Sequence, residues 1–303
     1  MADVRFDGRV AIVTGAGGGL GRAHAMLLAS RGAKVVVNDL GGAMDGTGKG
    51  TAAAEKVCAE IKAKGGQAEP DFNSVSTMAG AMGLIETAKK AFGKVDILVN
   101  NAGILRDVSL MKMREEDWDA VIAVHLKGTF NCTKAAFPVM REGNYGRIVN
   151  TTSSAGLFGN FGQTNYAAAK MGIVGFGNAL KHEGAKYNIK VNTIAPFGGT
   201  RLTATVLPPP VLEAMKPEVV SPMVAYLCSE ECGLTGNIIV AGAGYFGRVA
   251  MREGKGCAFD GSKPITLEMI RENLAKITDM TDAKEFDSVN EEGMEKIFSN
   301  VKT

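Results

Sequence analysis

Cysteine is sparse and odd in number. Cys58, Cys132, Cys228, Cys232 and Cys257 are the only five in 303 residues, which excludes a disulfide framework and fits a reducing compartment. Histidine is scarcer still, with His24, His125 and His182 alone. All three lie far from the four-residue spacing of Cys228 and Cys232, so a buried thiol pair on a helix is expected there, and no metal site. No apolar run approaches the roughly 18 residues of a membrane span. Neither sign of charge dominates: 34 basic and 32 acidic residues leave +2. The basic residues are scattered, which removes the electrostatic footprint of a nucleic-acid or anionic-lipid binder and leaves small-molecule chemistry. The amino terminus carries acids and no apolar core, unlike a secretory signal. Asn300 to Thr303 is not a Ser-Lys-Leu peroxisomal address. Cytoplasm is the expected compartment.

What is present is the composition of a folded protein, 46% hydrophobic and 22% charged. Short β-branched runs alternate with longer Ala-rich stretches. Strands are expected at Val10–Thr14, Lys34–Asp39, Gln67–Phe72, Asp96–Asn100, Gly146–Thr152, Lys190–Ala195 and Asn237–Ala241. Helices are expected near 19–32, 51–65, 76–92, 115–141, 164–187 and 211–230. This pattern predicts an α/β fold: a Rossmann-like, doubly wound parallel sheet of seven strands with helices on both faces. After Gly244 the alternation stops, Tyr245–Pro264 reads as irregular, and two short helices follow near 266–278 and 289–299. The expected division is a main domain over 1–249 and a helical extension over 250–303.

The loop Leu40–Gly50 contains Gly48 and Lys49, which invite a phosphate-loop reading. The spacing denies it, because Ala43 and Gly50 stand where that motif needs Gly and Ser or Thr. A flexible surface loop is expected. Directly after the first strand, Gly15, Gly19 and Gly21 form a Gly-x-x-x-Gly-x-Gly turn leading into a helix. Glycine lets backbone approach a pyrophosphate, and the helix start presents free N–H groups and a positive dipole end. A plain structural turn is the alternative. Asp39 ends the second strand, where a carboxylate can accept from the adenosine ribose hydroxyls and would repel a 2′-phosphate. NAD is therefore expected over NADP.

Tyr166 and Lys170 are four residues apart on an expected helix, so they share a face. Ser153 ends the fifth strand. A tyrosine at its ordinary pKa of about 10 is a poor base at neutral pH, and a neighbouring ammonium is the means of lowering it. A hydroxyl such as Ser153 can hydrogen-bond the reacting oxygen, which suits hydride transfer at a secondary alcohol or ketone. An aromatic packed beside a solvated lysine is the alternative for Tyr166 and Lys170 alone.

Together these residues resemble the short-chain dehydrogenase/reductase family. Thr14 to Gly21 match its glycine motif, Asn100-Asn101-Ala102-Gly103 its fourth-strand motif, Ser153, Tyr166 and Lys170 its catalytic set, and Asn192–Pro196 its sixth strand. The similarity runs from about residue 5 to 245. A narrower resemblance, to the family's (3R)-hydroxyacyl-CoA dehydrogenases, is carried by Asn38–Gly42, Ala102–Asp107, Val124–Gly128, Tyr145–Arg147 and Gly159–Gln163. It implies NAD-dependent oxidation of a (3R)-hydroxyacyl-CoA to the 3-ketoacyl-CoA. The alternatives are another secondary-alcohol or steroid dehydrogenase, or a nucleotide-sensing or scaffold protein without turnover.

The resemblance further implies which residues hold the dinucleotide: Gly15, Gly19, Leu20, Gly21 and Asp39; Ser74 and Val75; Asn101, Ala102 and Gly103; Tyr166 and Lys170; and Pro196, Gly198, Gly199 and Thr200. His125 stands where the family often places a catalytic Asn and is counted with the catalytic residues, a packed helix histidine being the alternative. Phe197 replaces the usual Gly after the sixth-strand Pro. The resemblance also implies a homodimer through helices 115–141 and 164–187, and an enoyl-CoA hydratase as functional partner.

Overall fold

Runs of β-branched residues set the sheet. β1 (Val10–Thr14), β2 (Lys34–Asn38), β3 (Gln67–Asp71), β4 (Ile97–Asn100), β5 (Gly146–Thr151), β6 (Ile189–Pro196), β7 (Ile238–Gly242) and β8 (Tyr245–Val249) lie in the order β3-β2-β1-β4-β5-β6-β7-β8. The first seven pair in parallel. This is a computed structural model, and it describes residues 3–197 and 213–289. Every residue of β1, β4 and β5 is buried, as a parallel sheet covered on both faces requires.

Helices α1 (Gly19–Ser30), α2 (Ala52–Ala63), α3 (Met78–Phe92), α4 (Glu115–Ile122), α5 (Gly128–Glu142), α6 (Ser154–Phe158), α7 (Thr164–Gly184), α8 (Ser221–Cys228) and α9 (Leu267–Ile277) complete the described elements. Alternate residues of each strand enter opposite cores, the period of two that a strand imposes. Ala11 and Val13 join Leu28 of α1, Val57 of α2 and Val224 of α8. Val10 and Ile12 join Leu84 of α3, Met140 of α5 and Leu180 of α7. β1 pairs with β2 on one side and with β4 on the other, so the strand order reverses there. In such sheets the crevice beyond the carboxyl ends of the two diverging strands is the ligand site.

The structure departs from the sequence reading in four places. The sheet has an eighth strand, β8, inside the segment read as irregular. Ala243 and Gly244, both at positive φ (48° and 77°), form the two-residue turn that returns the chain beside β7. The helix expected over 115–141 is two helices joined by a π turn at Ala123–Lys127. A short helix, α6, follows Ser153. Of the helix expected near 211–230, residues 211 and 212 lie outside the described residues, Glu213 and Ala214 are helical, and a break and a single turn at Pro217–Val219 separate them from α8. Leu40–Gly50 is a surface loop, as expected, closed on itself by Gly50 N donating to Leu40 O and Ala43 N to Thr47 O.

Cys228 and Cys232 are both buried free thiols, the second beyond the end of α8. The helix expected near 289–299 begins where the described residues end. By contacts the chain divides into two units, Met1–Arg248 and Val249–Thr303. Among the described residues no helix is long and apolar enough to cross a membrane.

Candidate active site

The crevice floor is built by backbone that tolerates no side chain. Gly15 has φ +63°, and a Cβ there would lie 2.8 Å from the Ala102 Cα. At Gly21 it would lie 2.3 Å from the Gly15 carbonyl oxygen, so the turn and the start of α1 are pressed together. Gly19 takes the left-handed φ of +49° that admits the chain to α1, and Leu20 follows half-buried. No side chain caps α1, which leaves its first N–H groups for a ligand.

Thr14 and Asn101 fasten this turn to the end of β4. The Thr14 hydroxyl accepts from the amides of Asn101 and Ala102, both at 3.0 Å. Asn101 Nδ2 donates to the carbonyls of Thr14 (2.9 Å) and Gly15 (3.1 Å). The Asn101 side chain thus holds the turn. Asp39, next after β2, accepts from Gly17 N at 2.8 Å and from Gly41 N at 2.7 Å. Ser74 shares a 2.8 Å hydrogen bond with Ser76. Val75 is buried against α5, its carbonyl accepting from Asn131 Nδ2. Pro196 ends β6 and Phe197 N donates to Ala241 O. Gly198, Gly199 and Thr200 lie outside the described residues.

Ser153 caps α6, its hydroxyl accepting from Ala155 N. Tyr166 stands in the first turn of α7 and Lys170 one turn on, with Lys170 Nζ 5.5 Å from the Tyr166 ring centre. Lys170 is buried and donates to the Thr151 carbonyl at 2.6 Å. Burial lowers its pKa to about 7. Burial also raises that of Tyr166, opposed by the hydrogen bond from Ser153 and reinforced by the Asp107 carboxylate. The π turn aims His125 into the same place. Its ring meets Tyr166 edge to face at 5.1 Å, and a Cβ on Gly103 would lie 2.4 Å from its Cε1.

His125 Nε2 lies 2.8 Å from the Ile104 carbonyl oxygen and 3.0 Å from the Ile104 amide, so either neutral tautomer bonds that main chain. Burial first, then the Lys170 charge, drives its pKa to about 3, against the opposing bond to Ile104. Its Nδ1 is buried without a partner.

Ser153, Tyr166, Lys170 and His125 are therefore brought together at the crevice that the glycine turn and Asp39 border. A phenol that can gain or lose a proton, an adjacent ammonium and an orienting hydroxyl form a set suited to moving a proton at an alcohol oxygen. The Cβ-free turn and the uncapped helix start fit a dinucleotide. No cluster able to hold a metal occurs among the described residues. The sequence reading missed Asn165, which is fully buried; its Oδ1 accepts from Tyr166 N at 2.7 Å and its Nδ2 donates to the carbonyls of Arg106 and Asp117. Nothing in the local pattern marked it.

Comparison with known proteins places the sequence within "short chain dehydrogenase" over residues 9–207. It is 51% identical over 290 residues to the peroxisomal multifunctional enzyme type 2 of Drosophila melanogaster, covering 95% of this chain and 48% of that one. The full-length structure of that enzyme matches with a TM-score of 0.84 over 98% of this chain and 50% of its own. The chain thus spans about half the length of this relative. A short chain dehydrogenase from Mycobacterium avium, 42% identical, matches with a TM-score of 0.78 over 90% of this chain and 97% of its own. A 7α-hydroxysteroid dehydrogenase complexed with NADH and 7-oxo glycochenodeoxycholic acid, 29% identical, gives 0.71 over 80% of this chain and 98% of its own. The Drosophila relative is named peroxisomal, where cytoplasm was the expected compartment for this chain.

Proposed function

Because the chain belongs to the short chain dehydrogenase family of oxidoreductases, we propose that it oxidises a (3R)-hydroxyacyl-CoA to the 3-ketoacyl-CoA with NAD. The observation that carries this reading is the convergence of Ser153, Tyr166 and Lys170 beside the dinucleotide crevice. NAD, when bound, supplies the hydride acceptor. Gly15, Gly19, Leu20, Gly21, Asp39, Ser74, Val75, Ala102 and Gly103 would hold it, with Asn101 keeping the turn in place and Pro196 opening the segment that runs on to Gly198, Gly199 and Thr200. Tyr166 takes the proton of the substrate hydroxyl, Ser153 hydrogen-bonds the same oxygen, and Lys170 favours tyrosinate through its charge. His125, neutral and bonded to Ile104, keeps that main chain and the Tyr166 ring in register.

The acyl-CoA assignment is supported by the 51% identity to a peroxisomal multifunctional enzyme. The NAD assignment is supported by Asp39 and by the NADH complex of the hydroxysteroid dehydrogenase. That same complex favours a steroid alcohol as the second reading. Turnover of a panel of (3R)- and (3S)-hydroxyacyl-CoA esters and hydroxysteroids, each with NAD and NADP, separates them. The proposal expects (3R)-acyl-CoA with NAD to lead; preference for a steroid or for the (3S) series overturns it. An enoyl-CoA hydratase would supply such a substrate.

The homodimer is supported by the outer face of α5 and α7. There Phe130 is exposed, meets Phe176 edge to face at 6.4 Å, and borders a groove with Phe137, Pro138 and Leu180. Such a stripe suits an isologous interface. Sedimentation of the full chain as a monomer would contradict it.

A further inference from the structure

We propose that Arg106 is a positioning residue for Tyr166, clamping the glycine-rich loop 40–50 to the start of α7. The inference rests on the reading of Tyr166 as the proton-transferring group. The loop hangs from Asp39, whose Oδ1 accepts from Gly41 N. It is shaped by its own bonds: Asp45 accepts from the Thr47 amide (2.9 Å) and hydroxyl (2.7 Å), and Gly50 N returns to Leu40 O.

Three consecutive residues after β4 grip this loop. Gly46 lies so close on Ile104 that a Cβ would stand 3.1 Å from its Cδ1. Leu105 N donates to Met44 O at 2.9 Å, and Arg106 Nε donates to Asp45 O at 3.0 Å. The same tripeptide grips the catalytic side. His125 bonds the Ile104 main chain and meets the Tyr166 ring. Asn165 Nδ2 donates to Arg106 O at 3.1 Å and to Asp117 O at 3.2 Å, while Asn165 Oδ1 accepts from Tyr166 N. Arg106 closes the circuit, its Nη1 donating to Asp117 Oδ1 at 3.4 Å and Glu116 O at 3.3 Å.

The main chain and the ring of Tyr166 are thus both fixed by elements that meet at residues 104–106, and the Arg106 side chain reaches from the loop to α4. An isolated surface ion pair contributes little. Arg106 differs in spanning two main-chain carbonyls and a carboxylate on two separate elements, with its side chain only 22% exposed. A lysine has the charge but not the fork that spans them.

The test compares wild type, Arg106→Met, Arg106→Lys, a chain with residues 43–48 replaced by a Ser-Gly turn, and the double variant of that replacement with Arg106→Met. Two readouts are used: kcat with KM for NAD, and the ultraviolet titration of Tyr166 in NAD-free protein, taken as the difference from Tyr166→Phe. Arg106→Met is expected to lower kcat about tenfold with KM for NAD within about twofold, and to move the Tyr166 midpoint by about half a pH unit or more. Arg106→Lys should recover only part of each. The loop replacement, which also removes the Met44 and Gly46 contacts, should lose at least as much, and the double variant no more than the loop replacement alone, because the Arg106 connection to the loop is already cut in it.

A folded Arg106→Met with wild-type kcat and midpoint overturns the proposal, as does a double variant whose losses multiply. Should the wild-type chain oxidise no secondary alcohol, the reading of its reaction fails, and the Tyr166 titration still decides the clamp.

Discussion

Asp39→Asn changes one oxygen to an amide nitrogen, yet it strikes two contacts. Both carboxylate oxygens are engaged by main-chain amides, Gly17 N at 2.8 Å and Gly41 N at 2.7 Å. An amide side chain can accept from only one and turns its own N–H groups toward the other. Hydrogen bonds to a charged group contribute about 1.5–3 kcal/mol each. Asp39 is partly exposed, so we take the lower end: one bond lost and one weakened cost about 2 kcal/mol. At about 2.1 cal/mol/K of unfolding entropy per residue, 303 residues give roughly 1.6 °C per kcal/mol, so Tm should fall by about 3 °C. Removing the carboxylate also removes its repulsion of a 2′-phosphate, so the preference for NAD should narrow by about tenfold. The gain is relative only. On the proposed binding mode Gly17 belongs to the turn that would receive the pyrophosphate, so kcat/KM with NADP should stay well below the wild-type value with NAD. Thermal melts and steady-state kinetics with both cofactors read this out. An unchanged Tm together with NADP kinetics equal to wild-type NAD kinetics would refute the reasoning.

Tyr166→Phe should leave Tm and NAD affinity nearly unchanged while kcat falls by roughly 10²–10⁴; near-normal turnover, with hydride transfer shown to limit the rate, would remove Tyr166 from the chemistry. Gly21→Ala must push the start of α1 off the Gly15 carbonyl, a strain of about 1–3 kcal/mol, and calorimetric titration should show NAD binding weakened about tenfold or more, unchanged affinity counting against the crevice as its seat. His24 and His125 both have folded pKa values near 3, each lowered chiefly by burial, against about 6.5 unfolded. Their contribution to stability is therefore full above pH 6.5 and is lost as pH falls toward 3, by about 1.4 kcal/mol per pH unit for each. Urea midpoints that do not drop between pH 7 and pH 5 would contradict it. A chain truncated after Val249 should still bind NAD, since every residue assigned to the dinucleotide precedes it, and loss of binding would show that the assignment is incomplete.

The strands and most helices were legible because one side chain in two, or a stripe at helical spacing, is enough to declare a buried face. The glycine turn was legible for a different reason: Gly15 and Gly21 stand where any Cβ would strike backbone, so the sequence has no freedom there. What stayed hidden depends on partners distant in the chain. β8 contains Gly247 and follows Ala243 and Gly244, so its local composition reads as loop, and β7 supplies the pairing. The π turn lies inside an uninterrupted helical pattern, and only the seat of His125 beside Gly103 reveals it. Loop 40–50 owes its order partly to residues 104–106, some sixty positions on. Arg147 reads as a surface residue, yet it is 2% exposed, its guanidinium bonded to the carbonyls of Gly146, Asn188 and Ser229. Asn165 belongs to the same class: its partners are main-chain carbonyls brought up by the fold.

The same burial that assembles the proposed catalytic group works against its basicity. It raises the Tyr166 pKa and pulls Lys170 down to about 7, so near neutrality the protein alone holds the phenol protonated and the ammonium only partly charged. His125 adds no positive charge, since its pKa near 3 keeps it neutral. A charged imidazolium beside Lys170 would lower the lysine further and weaken the cation that lies beside the Tyr166 ring. Among the described residues the influence that lowers the Tyr166 pKa is the Ser153 hydrogen bond, which the Asp107 carboxylate opposes. On the proposed chemistry, an oxidised dinucleotide held by the glycine turn and Asp39 would add its own positive charge beside Tyr166 and so favour tyrosinate. Substrate proton removal would then be tied to cofactor occupancy, because the protein alone keeps the phenol a weak acid.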